Sequence, residues 1–110
     1  MKTSEILRKA ADEIRRRGWY QGANGSSDRD RENCPVCAMG AIRATLSGGD
    51  PWGRVDFRWE SLLVDAVAVA ATASDSLHGW NDDPERTVEE VLDAFERAAQ
   101  AAELEESSGE

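Results

Sequence analysis

The sequence is poor in the residues that usually carry chemistry. It has one histidine, His78, and two cysteines, Cys34 and Cys37. A structural zinc site takes four protein ligands, and these side chains supply three. In a reducing compartment the two cysteines, three positions apart, are expected as thiols rather than a structural disulfide. No Gly-rich stretch is followed by Lys-Ser/Thr, because Gly48-Gly49 leads into Asp50-Pro51. That removes the common phosphate loop. No apolar run reaches 18 residues: the most apolar stretch, residues 61–73, is too short to span a bilayer and contains Asp65. No secretory h-region follows the charged start, so a cytoplasmic location with reduced thiols is expected. Basic residues are also scarce, 13 against 22 acidic ones, giving a net charge of -9. Nucleic acid is therefore an unlikely partner, because phosphate neutralisation needs Lys and Arg.

What is present is one domain's worth of chain, rich in alanine and carrying four tryptophans, Trp19, Trp52, Trp59 and Trp80. They supply the large apolar surface that alanine lacks. Charge is uneven: residues 1–20 hold six basic and three acidic side chains, whereas residues 82–110 hold two and eleven. The run Arg15-Arg16-Arg17 before Gly18 is read as favourable charge at a helix C-terminus.

Periodicity predicts an all-α fold, a compact bundle or array of about four helices joined by long loops. The first helix is expected over 4–17, with Thr3 as N-cap and Ile6, Leu7, Ala10, Ala11 and Ile14 as its apolar stripe. The second is expected over 35–46, with Asn33 or Cys34 as N-cap and Pro35 at the first helical position. Gly40 inside it suggests close approach of another helix, and hence a possible seam for a homodimer. The third is expected over 57–74, capped by Asp56. The fourth starts at the capping box Thr87-Val88-Glu89-Glu90 and runs to about residue 102. A single helical domain over 1–102 would then end in an acidic, disordered tail, 103–110. The loops at 18–33 and 75–86 are long for helix connections, and the middle of the first, about 23–32, is expected to be mobile.

Three patches occur in a suggestive order: Gly18-Trp19 with Gln21-Gly22; Cys37-Ala38-Met39-Gly40-Ala41-Ile42; and Trp80-Asn81-Asp82 with Arg86-Thr87 and Glu90-Val91-Leu92. Over about residues 5–100 the chain resembles a family of short actinobacterial and actinophage proteins of unknown function. The resemblance implies a shared fold unit and a phage or actinobacterial setting, without an activity. Its pattern does not extend to Cys34 or His78.

Candidate sites follow from residue type. Cys34-Pro35-Val36-Cys37 is a C-x-x-C motif, which suits redox chemistry when a strand precedes it; none is predicted here. Cys34, Cys37 and His78 would need a fourth ligand to hold zinc, so no cofactor is expected. Cys37, His78 and Asn81 are the types of a thiol hydrolase, without an evident oxyanion hole. Asp82, Asp83 and Glu85 lack the spacing of a calcium loop. The acids Glu89, Glu90, Asp93, Glu96, Glu103, Glu105 and Glu106 form a solvated face or mimic nucleic acid. For contact with a protein partner the candidates are Trp19, Gln21, Trp80, Asn81 and Asp82, since tryptophan in a loop is a frequent interface anchor; the alternative is that these residues seal their own loops. The reading favoured on sequence is a non-enzymatic, phage-encoded interaction module that binds a host protein or itself; a thiol- or zinc-dependent protein is the alternative.

Overall fold

In a computed structural model, which describes residues 2–26, 30–73 and 76–108, the chain forms five helices. They are α1 (Thr3–Arg17), α2 (Ala38–Ser47), α3 (Phe57–Ala70), α4 (Leu77–Asn81) and α5 (Val88–Ser108). No strand forms among the described residues; the fold is all-α.

The expected stripe of α1 is buried throughout: Ile6, Leu7, Ala10, Ala11 and Ile14. It faces Val91, Ala94, Phe95, Ala98 and Ala99 of α5, also buried. The alanines on both helices let the backbones come close. Ile42 of α2 and Leu63 and Val67 of α3 close the core around Phe95. Burying a side chain such as Phe95 is worth about 1.5–3 kcal/mol.

Several boundaries differ from the expectation. Helix α1 has no side-chain cap of its own, and Lys2 rather than Thr3 precedes it. Its first turn is capped from α5: the Glu106 carboxylate accepts from Ser4 N at 3.2 Å and from Ser4 Oγ at 2.7 Å. A carboxylate at a helix N-terminus is favourable. The same pairing overturns the expected disordered tail as far as Ser108. Arg8 bonds Glu96 and Glu103, both at 2.8 Å, and α5 continues past residue 102 along α1. Residues 109–110 of that tail lie outside the described residues.

Helix α2 starts three residues later than expected, and Cys37 is its N-cap, with Sγ accepting from Gly40 N at 3.3 Å. Pro35 and Val36 are instead extended, because the loop before them uses their backbone. Val36 N donates to Gly18 O, Tyr20 N to Val36 O, and Ser26 N to Pro35 O, each at 3.0 Å. Helix α3 is capped by Asp56 as expected but stops at Ala70, and Thr72 adopts φ 52. The loop expected over 75–86 contains the short helix α4, with Ser76 Oγ accepting from Gly79 N at 3.0 Å. The capping box of α5 is present: Thr87 N donates to Glu90 Oε1 at 2.9 Å and Glu90 N to Thr87 Oγ1 at 3.3 Å.

Two arginines tie loops and helices together. The Arg17 guanidinium is buried and donates to Arg31 O and Gly49 O, both at 2.6 Å, and to Glu13 at 3.0 Å. Thus the last arginine of the triplet turns inward and anchors the 30–34 segment. Residues 27–29 of the loop expected to be mobile lie outside the described residues. Arg43 of α2 grips Glu60 of α3 through two bonds, 2.6 and 2.8 Å, the strong fork geometry of an arginine–carboxylate pair.

Candidate functional site

Four of the five residues expected at an interface come together beside the N-terminus of α2. Helix α4 places Asn81 at the centre, with its side chain fully enclosed. Asn81 Oδ1 accepts from Trp19 Nε1 at 2.8 Å and from Ala38 N at 3.0 Å. Asn81 Nδ2 donates to Tyr20 O at 3.1 Å and to Asp82 Oδ1 at 2.9 Å. Two donors and two acceptor positions are all an amide side chain has, so Asn81 is saturated. Asp82 Oδ1 also accepts from Gly22 N at 3.0 Å, and Gln21 Nε2 donates to the carbonyls of Asn81 and Asp83 at 3.0 and 2.8 Å. Trp80 stands next to this network. Its half-buried ring packs on the core, and the Arg86 guanidinium stacks over it at 4.2 Å from the centroid. Arg86 Nε also donates to Trp80 O at 2.9 Å. The three sequence patches therefore meet in space, and their polar atoms bind one another.

Gly40 belongs to the same junction. A Cβ there would collide with the Asn24 carbonyl, which accepts from Cys37 N at 3.2 Å. The close approach is therefore made by a loop of this chain, which corrects the reading of Gly40 as a helix–helix or homodimer seam.

The thiols lie under this junction. Cys34 and Cys37 are free and both buried. Burial pushes the Cys37 thiol up, and the N–H groups of Gly40 and Met39 offset only part of that. A nucleophilic or redox cysteine needs the opposite shift. His78 sits half-buried on α4. Among the described residues no group of three or more His, Cys, Asp or Glu side chains is placed to hold a metal ion. Asp82 and Asp83 serve turns, Asp83 Oδ1 accepting from Glu85 N at 2.9 Å. On α5, Glu90, Asp93, Glu96 and Glu103 hold Arg86, Arg97 and Arg8. Four of the seven residues of the expected acidic face are therefore paired with arginines.

Sequence reasoning missed an open apolar feature. Between α3 and α5 runs a groove of about 490 Å³. Ala66, Ala98, Ala101 and Ala102 line it with small side chains, and Leu62 and Val69 of α3 border it. These two are large apolar side chains left 50% and 77% exposed, respectively. Helix α3 thus has a second apolar side beyond the one carrying Leu63 and Val67. The signal was in the sequence: Leu62-Leu63-Val64 and Val67-Ala68-Val69 put apolar residues on adjoining faces. A helix apolar on more than one side is normally covered on each.

Together these features define a small helical protein whose loop-borne polar cluster holds the fold and whose open apolar surface lies elsewhere. The chain belongs to DUF6197, a family of unknown function, whose model matches residues 1–101. No curated protein and no solved structure matches it. Among the described residues no helix is long and apolar enough to cross a membrane.

Proposed function

We propose that this protein is a non-enzymatic interaction module that works in the cytoplasm and binds another protein through the α3–α5 groove. The observation that carries the reading is the pair Leu62 and Val69, exposed on the border of that groove. Contiguous apolar surface with polar surroundings is typical of protein-binding sites. The reactive residue types support the reading by being engaged otherwise: the Cys37 thiol caps α2, and the Asn81 amide is saturated. In the phage setting that the resemblance implies, the bound protein is a host protein and this chain modulates it by occupying its surface.

The test compares the full chain with Leu62→Glu/Val69→Glu. Leu62 is half exposed and Val69 mostly so, so each change should cost no more than about 1 kcal/mol, and thermal melting verifies that the variant stays folded. A protein retained by the wild type and lost by the variant supports the reading. A protein retained equally by both places the interface elsewhere and overturns it.

A further inference from the structure

We propose that the occupant of the groove is a basic amphipathic helix of the partner, engaging it over about two turns. This rests on the interaction reading and specifies its chemistry.

Shape comes first. The groove is bounded by helices, and no sheet edge exists among the described residues to recruit a strand. The arrangement is that of helix-in-groove recognition. Its apolar border runs from Leu62 to Val69, about 10 Å at 1.5 Å per residue, or two helical turns. The alanines between let large side chains of an incoming helix sit deep.

Charge gives the second argument. Asp65 of α3 and Glu105 and Glu106 of α5 line the same groove. None of the three pairs with a cation among the described residues. Glu106 bonds Ser4 N and Oγ, both neutral donors. A helix with Lys or Arg beside its apolar stripe satisfies both features of the groove. A second copy of this chain does not: two-fold packing would bring the same carboxylates together, on chains that each carry a net charge of -9.

The test uses two designed helical peptides with one Leu stripe, flanked by Lys in one and by Glu in the other. Binding to the full chain is followed by fluorescence anisotropy and by amide NMR shifts. The Lys peptide should bind, with shifts centred on Leu62, Ala66, Val69 and Ala102, and should weaken as salt rises from about 0.05 to 0.5 M, where screening shortens from above to below about 10 Å. Asp65→Asn/Glu105→Gln should weaken it about three- to tenfold. Equal binding of both peptides, shifts elsewhere, or dimerisation through this face in sedimentation would overturn the proposal. If the Lys peptide fails while Leu62→Glu/Val69→Glu still abolishes capture of a partner, this inference falls and the interaction reading stands. If that variant also retains the partner, both fall.

Discussion

Replacing Asn81 with alanine should damage this protein more than its position in a five-residue helix suggests. The change removes one acceptor shared by two donors and one amide shared by two acceptors. The Ala38 N–H is the critical loss. It opens α2, where helix geometry provides no partner, and Ala38 is fully buried. A stranded buried donor costs about 1–3 kcal/mol. The Trp19 indole is half-buried and recovers part of its loss from water. Adding the freed Tyr20 carbonyl, we expect about 3–5 kcal/mol, against a total of about 5–15 kcal/mol for a typical domain. Urea unfolding followed by tryptophan fluorescence should show the midpoint falling by about 2–3 M with an unchanged slope, taking a slope near 1.5 kcal/mol per M. Asn81→Asp offers a second reading of the same site. Its carboxylate would be buried beside Asp82, and burial and like charge both raise a carboxyl pKa. A raised folded pKa means that the folded state binds the proton more tightly, so its deficit relative to wild type should narrow as pH falls. A loss below about 1 kcal/mol for Asn81→Ala would refute the claim that this network holds the loops in place.

Three further perturbations test other parts of the argument. Arg17→Met strands the Arg31 and Gly49 carbonyls and should cost about 3 kcal/mol, with Arg17→Lys rescuing little because one ammonium cannot replace a fork of donors; calorimetry measures both. Gly40→Ala should destabilise by about 2 kcal/mol through collision with the Asn24 carbonyl, although the same change in an exposed helix stabilises by about 1 kcal/mol; the sign of the shift in melting temperature decides. The native Cys37 thiol should react slowly with an aromatic disulfide and reach full rate only in urea. Its raised folded pKa adds stability that is fully present below the ordinary thiol value and is lost as pH rises from there through the raised one. Cys37→Ser keeps a capping oxygen and should remove that slope.

Helices α1 and α5 were legible because their signals are local: an apolar stripe, a glycine stop and a capping box. Helix α2 was misjudged at its start because Pro35 fits a first helical turn in isolation. The backbone of residues 35–36 finds better partners in the 18–26 segment, which no window around Pro35 reveals. Helix α4 is too short for periodicity, and only Ser76 marked it. The C-terminal turns of α5 read as a solvated tail because Glu103 and Glu106 meet Arg8 and Ser4 about a hundred positions away. Of the candidate interface residues, Trp19, Gln21, Asn81 and Asp82 converge in one network. Their partners were one another, a fact that residue type cannot disclose.

The contrast between junction and groove bears on how a family pattern should be read. Asn81, Gly40 and Asp82 are fixed by geometry: Asn81 bonds the backbone of Tyr20 and Ala38, Asp82 bonds Gly22 N and the Asn81 amide, and at Gly40 a Cβ would meet the Asn24 backbone. Such positions mark a fold strongly and say little about a partner. The groove is built from leucine, valine, alanine and carboxylates. Fully burying an aliphatic side chain yields about 1.5–3 kcal/mol, and Leu62 and Val69 are already partly covered, so together they offer about 2–4 kcal/mol. Micromolar binding needs about 8 kcal/mol. The difference has to come from the partner's own apolar side chains and from the carboxylates at Asp65, Glu105 and Glu106. A helix lacking the apolar side chains should therefore bind only at millimolar concentration, one lacking the cationic flank should bind about three- to tenfold more weakly, and one carrying both should associate tightly enough to act yet release readily.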